Sequence, residues 1–143
     1  MLVSSDVERS SAFYRSVLGF TSGHGGPGYE QLLHNGELVM QLHDRGEEDH
    51  HGSLATEGVP LGNGVLVWFE VSDFDAAVER AQASGAPVVR EVETNPNAKQ
   101  REYWFKDPDG YTVGGMSTES EHGGDKAWSR DYPGEHAWKL RKR

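Results

Sequence analysis

The sequence predicts an α+β fold made of two similar units, each a strand, a helix and three further strands. Three observations carry this reading. Helix-period apolar faces occur twice, after Ser5-Asp6 and after Ser72-Asp73, 67 residues apart. Each helical pattern is closed by a glycine, Gly19 or Gly85, a residue that accepts the left-handed conformation at helix ends. Each unit also holds a strong hairpin signal, Asn35-Gly36 in the first and Asp107-Pro108-Asp109-Gly110 in the second. Two copies are too few to stack as a solenoid, so they imply paired half-sheets.

Taken in order, Met1 to Ser5 has room only for a short first strand. Asp6 is a good N-cap and Glu8 suits the positive end of a helix, whose apolar face is Val7, Phe13, Tyr14, Val17 and Leu18. Phe20 to Ser22 reads as a brief strand before a Gly-rich loop through Gly28. Tyr29 to Leu33 and Glu37 to His43 form a hairpin about Asn35-Gly36. Asp44 to Asn63 is a polar loop with a charge run and His50-His51, and loops of that length often border binding sites.

The second unit opens with the apolar strand Val65 to Val71. Asp73 caps a helix with Phe74, Ala77, Val78 and Ala81 on one side. Pro87 to Val92 follows as a strand and Asn95-Pro96-Asn97 as a turn. The last hairpin runs from Arg101 to Met116 around its Asp-Pro-Asp-Gly corner. Strict alternation sends Tyr103 and Phe105 to one face, and Glu102, Trp104 and Lys106 to the other. A core-facing side and a side carrying a tryptophan among charges suggest the wall of a concave site.

Composition narrows the function. A chain of 143 residues is one domain's worth and needs no staples. It has no cysteine, which excludes disulfides, thiolate metal sites and cysteine nucleophiles. A net charge of −9 argues against nucleic acid, which calls for basic stripes, and favours a cationic ligand if any charge preference exists. No apolar run approaches the ~20 residues of a membrane span and no signal-like segment precedes the first helix. The expectation is a soluble, cytoplasmic protein without membrane contact. Residues 118 to 143 are polar, with Trp128, Tyr132, Trp138 and a basic end at Lys139 to Arg143. They are either a solvated tail or a segment docked on the body or a partner; three large aromatics favour docking.

The run from Asp6 through Phe13-Tyr14-Arg15 to Leu18-Gly19-Phe20, the stretch Phe69-Glu70-Val71-Ser72-Asp73, and Tyr103 to Tyr111 around Asp107-Pro108-Asp109-Gly110 together resemble the vicinal oxygen chelate superfamily of glyoxalases, bleomycin-resistance proteins and extradiol dioxygenases. The resemblance covers Met1 to about Ser117. It implies one domain over 1–117, with βαβββ modules at about 1–43 and 64–117 joined by the loop 44–63. The modules would form a cup-shaped mixed sheet with helices on its outer face, commonly in homodimers with sites near the subunit junction. Residues 118–143 form an extension outside the resemblance.

Metal-dependent members hold their ion with His, Gln or Glu on strands facing the cup. Carried over position by position, the first-strand ligand falls before Met1, the fourth-strand one on Gln41, the fifth-strand one on Leu66 and the eighth-strand one on Gly114. A single neutral amide cannot hold a divalent ion that wants three or four N/O ligands. No metal or other cofactor is therefore expected.

With the same arrangement, parity from Leu66 places Leu66, Trp68 and Glu70 toward the cup, with Thr112, Gly114 and Met116 on the neighbouring strand and Glu102, Trp104 and Lys106 on the next. Gly114 then lies between Trp68 and Trp104, where a flat ligand ring could lie, because interior strand glycines often mark a close approach. Gln41 and His43 share a face of the first module with Val39, and Glu30 is expected to oppose Gln41. The expected ligand site is Trp68, Trp104, Gly114, Gln41, His43, Glu70, Leu66, Glu102 and Met116. The expected function is metal-independent binding of a bulky, partly aromatic small molecule, such as a polycyclic or glycopeptide antibiotic. The alternatives are a metal-free enzyme using His43 or Glu70 to move a proton and a metal-dependent enzyme of the superfamily.

Overall fold

A computed structural model of the chain describes residues 1–46 and 52–118; the expectations for His50-His51 and for the docking of the C-terminal extension lie outside the described residues. The element order is β1 (Leu2–Ser4), α1 (Val7–Leu18), β2 (Thr21–Ser22), β3 (Tyr29–His34), β4 (Glu37–Asp44), β5 (Leu66–Val71), α2 (Phe74–Ala83), β6 (Val88–Thr94), β7 (Arg101–Lys106) and β8 (Thr112–Ser117). Strand, helix and three strands thus occur twice, as the sequence predicts.

Both helices start where their side chains cap them. The Asp6 carboxylate accepts the Arg9 backbone N–H at 2.9 Å, and Asp73 accepts that of Ala76 at 3.1 Å. Each satisfies one of the backbone donors that a helix start leaves without a partner. Gly19 ends α1 at φ 74°, a value costly for any residue with a Cβ. Asn35 and Gly36 sit at φ 52° and 78°, the geometry that a two-residue hairpin turn demands.

The strands form two four-stranded mixed sheets of identical order, β1-β4-β3-β2 and β5-β8-β7-β6. In each, the first strand of the unit pairs in parallel with the last, and the remaining pairs are antiparallel. The predicted place of β8 between β5 and β7 is therefore correct.

One apolar core joins the units. Val7, Tyr14 and Val17 of α1 cluster with Leu32, Met40 and Leu42 of the first sheet, and with Phe74, Ala81, Tyr103, Phe105 and Val113 of the second unit. Phe20 meets Phe69 edge-on at 5.4 Å. Arg80 Nε donates to the Val17 carbonyl at 2.8 Å, tying α2 to the end of α1.

A polar seam runs beside this core. Tyr14 Oη donates to Asp107 Oδ2 at 2.7 Å, and Tyr111 Oη donates to the Val3 carbonyl at 2.9 Å. Asp109 accepts from Ser4 Oγ at 2.7 Å, from the Ser5 N–H at 3.0 Å, from Ser10 Oγ at 3.1 Å and from Ser5 Oγ. The hairpin corner predicted as a turn is thus also the fastening between the units.

One expectation is corrected. Gln31, not Glu30, stands opposite Gln41; Glu30 stands opposite Leu42. That parity turns Glu30 toward α1, where it is 2% exposed. Alternation within the strand was legible, but its starting residue was not.

Candidate functional site

The face of the second sheet away from the helices carries the candidate site. Along β5 exposure alternates, with Leu66, Trp68 and Glu70 exposed and Val67, Phe69 and Val71 half-buried, Phe69 and Val71 packed against the core. Register then defines two cross-strand rows. Trp68 pairs with Gly114, Gly114 with Trp104, and Trp104 with Arg90. Next to it, Glu70 pairs with Met116, Met116 with Glu102, and Glu102 with Glu93. Six predicted residues, Leu66, Trp68, Glu70, Glu102, Trp104 and Met116, therefore share one face with Gly114 at its centre.

The two indoles meet edge-on with centroids 6.1 Å apart. Gly114 lies directly beside this contact. A Cβ there would lie 3.4 Å from both Cδ1 and Nε1 of Trp104 and 3.5 Å from Leu66 Cδ1. The indole of Trp104 thus borders the space at Gly114 expected for a ligand ring. Trp68 remains 44% exposed and offers the open aromatic surface. The face is a wall, not an enclosed pocket.

Two groups on this wall are buried without a hydrogen-bond partner. Trp104 Nε1 is a donor with no acceptor, and Glu102 Oε2 is an acceptor with no donor. Glu102 is 1% exposed; its other oxygen accepts from Asn95 Nδ2 at 2.7 Å. The Arg90 guanidinium stacks over the Trp104 ring at 4.1 Å. It meets Glu93 at 2.8 Å and stands 3.7 Å from Glu102 Oε2, beyond hydrogen-bonding reach. Arg90 and Asn95 were not visible as site residues in the sequence, because their neighbours depend on a register broken on both sides of Arg90. Lys106, predicted to share the face, is engaged with Thr112 Oγ1 at 2.8 Å and the Gly110 carbonyl at 3.1 Å.

Gln41 and His43 lie on the other sheet. His43 is buried and packs edge-on against Tyr29 at 4.8 Å, and Tyr29 meets His24 at 5.1 Å. Gln31 Nε2 donates to Tyr29 Oη at 2.8 Å. The substantial pairings between the two units run through the helices, and none joins β4 to β5, β7 or β8. Within the described residues of one chain, Gln41 and His43 do not meet Trp68 and Trp104.

Glu30 belongs to the scaffold of the first unit. Burial pushes its carboxyl up, but hydrogen bonds from Ser22, the Gly25 N–H, Ser11 and the His24 N–H outweigh burial and hold it at about 2. It thereby shapes the Gly-rich loop. A recess of about 570 Å³ lies between α1 and β2, lined by Ala12, Arg15, Ser16, Phe20, Thr21 and Ser22. It contains none of the predicted site residues.

The residues at the positions where the resemblance places metal ligands do not fit a divalent ion. Leu66 and Gly114 carry no donor atom, and Gln41 supplies one neutral amide. Among the described residues, no three His, Asp or Glu side chains come together as a metal-holding group. No described helix is long and apolar enough to cross a membrane.

Comparison with known proteins agrees with this architecture. Residues 1–114 match the Glyoxalase/Bleomycin resistance protein/Dioxygenase superfamily model. Among solved structures, a glyoxalase/bleomycin resistance protein/dioxygenase from Nocardioides is 28% identical with a TM-score of 0.64, covering 86% of this chain and 83% of that one. TioX from Micromonospora sp. ML1 is 24% identical with a TM-score of 0.65, covering 81% of this chain and 93% of that one. A lactoylglutathione lyase from Agrobacterium tumefaciens is 21% identical with a TM-score of 0.61, covering 81% and 88%. The latter two likenesses speak to the fold alone. Comparison with curated proteins returns no match.

Proposed function

The chain belongs to the glyoxalase/bleomycin resistance protein/dioxygenase superfamily, and from that premise we propose that it is a metal-independent binding protein for a bulky, partly aromatic small molecule. An antibiotic sequestered from its target is the ligand class this reading favours. The observation that carries it is the row Trp68–Gly114–Trp104, in which one indole is propped against another and left 44% exposed on a sheet face. Burial of large apolar side chains stabilises a protein; keeping a tryptophan in water on a rigid wall instead favours a partner that covers it.

Magnitude decides the kind of ligand. Micromolar affinity takes ~8 kcal/mol, whereas an aromatic contact adds only ~0.5–1.5 kcal/mol beyond area burial. Most of the affinity must therefore come from enclosed apolar area, which suits a large ligand better than a small oxoacid. One open wall does not enclose a ligand. A homodimer that set the first sheet of one copy, with Gln41 and His43, over the second sheet of the other would complete the hollow.

Titration with glycopeptide and polycyclic antibiotics tests the reading. Tryptophan emission and melting temperature are expected to shift, and Trp68→Ala to weaken binding by about tenfold or more. Unchanged emission and melting temperature across the series would remove support for sequestration.

A further inference from the structure

Arg90 covers a place on the wall without satisfying it. Its guanidinium carbon stands over the Trp104 ring, 4.1 Å from the centroid, a position expected of a delocalised planar cation on an aromatic face. Its short contact is with Glu93, at 2.8 Å on its own strand, where both side chains are substantially exposed. The buried carboxylate beside it gains little: Glu102 Oε2 stands 3.7 Å away and accepts no hydrogen bond. A carboxylate oxygen sealed from water without a donor is costly, and a well-aimed charged donor there is worth far more than one at a solvated surface. Register shifts flank Arg90 on both sides, so its side chain can leave the ring without loss of the regular β7–β8 ladder.

We propose that this face carries a subsite for a planar organic cation, an amidinium or guanidinium group on the ligand, which stacks on Trp104 and donates to Glu102 Oε2 in the place now held by Arg90. The inference rests on the reading of the Trp68–Trp104 wall as a ligand site and specifies one end of that ligand. Two carboxylates, Glu102 and Glu93, border the position, and Glu70 lies in the same row beyond Met116. A compact ammonium suits it less well, being strongly hydrated and unable to present a flat face to the ring. The ligand then pairs an aromatic body over Trp68 with a flat cationic end over Trp104, and the net charge of −9 assists its approach.

The test uses the full chain, with benzamidine as the probe and benzamide as its neutral counterpart. The readout is the Trp104 indole N–H resonance, assigned through Trp104→Phe. Benzamidine is expected to shift that resonance saturably and benzamide to leave it unmoved. Arg90→Ala, which vacates the place, is expected to tighten benzamidine binding by about tenfold, and Glu102→Gln to weaken it by a similar factor. Should Glu102→Gln fail to fold, the Arg90→Ala comparison decides alone. Equal shifts with both probes, in the native protein and in Arg90→Ala, would overturn the cation subsite and leave the aromatic wall intact as a binding surface. No shift with either probe, even in Arg90→Ala, would overturn the subsite; the antibiotic titration then decides separately whether the wall binds at all.

Discussion

Glu30 is kept ionised out of reach of water by five donors: the hydroxyls of Ser11 and Ser22 and the backbone N–H groups of His24, Gly25 and Gln31. Its pKa falls from 4.5 to about 2. A depressed carboxylate contributes stability that is present above its unfolded pKa and lost as pH falls toward the folded value. Glu30→Gln is therefore expected to cost on the order of 3 kcal/mol at pH 7, with the difference shrinking between pH 4.5 and 2; urea unfolding at pH 7 and pH 3 measures it. At Gly114 the argument is steric. Gly114→Ala places its Cβ at 3.4 Å from the Trp104 ring, a contact that a small tilt of the indole absorbs. Gly114→Val adds branches the ring cannot avoid, and is expected to cost ~1–3 kcal/mol with a shift in the Trp104 indole resonance. A result in which valine is tolerated as well as alanine would mean that the glycine does not make room for the indole.

Among elements, the β7–β8 hairpin does two jobs that its turn chemistry alone did not announce. Asp107 Oδ1 accepts the N–H groups of Asp109 and Tyr111 at 2.9 Å each, closing the corner, while Oδ2 reaches Tyr14 across to α1. Burial raises the Asp107 pKa, and the Tyr14 hydrogen bond works against that rise. A raised pKa means that this group's contribution favours folding at low pH and is lost as pH climbs through the folded value. Tyr14→Phe removes the donor that eases ionisation, so its cost is expected to be larger at pH 7 than at pH 4, in the same sense as Glu30→Gln but over a higher pH window. Denaturation profiles across pH 2 to 7 separate the variants by window, since the Glu30→Gln difference fades below pH 4.5 while the Tyr14→Phe difference is set above the ordinary carboxylate value. The turn itself was legible because Asp-Pro-Asp-Gly and Asn-Gly specify backbone angles locally, and both helices were legible from Asp6 and Asp73 as caps. The side of the sheet taken by Glu30, and the pairing of Arg90 with Trp104, were not. The first depends on where a strand begins to pair, and the second on bulges in β6 that leave no mark in residue type.

At the scale of the whole molecule, the duplication read from Ser5-Asp6 and Ser72-Asp73 accounts for two sheets of the same order, and the parity of β5, β7 and β8 put six of the candidate residues on one face. Distance between the sheets was not legible, because spacing along a chain says nothing of which copy of a module faces which. The helices and the Asp109–serine seam consume the inward sides of both units, so the outward faces with Gln41 and Trp68 are left for something else. Leu38 and Val39 on β4 are 51% and 41% exposed, and Leu66 and Trp68 on β5 are 38% and 44% exposed, a surface more apolar than a monomer's solubility favours. If a second copy covers them, sedimentation at micromolar concentration is expected to give twice the chain mass. Val39→Glu should then shift the population toward monomer, since burying an unpaired charge opposes association, and weaken antibiotic binding in parallel while leaving the unfolding midpoint of the dilute protein unchanged. The coupling is the decisive part of that experiment: a monomer of native mass that binds tightly would show that one wall suffices, and a dimer whose dissociation leaves affinity untouched would place the second copy elsewhere on the surface.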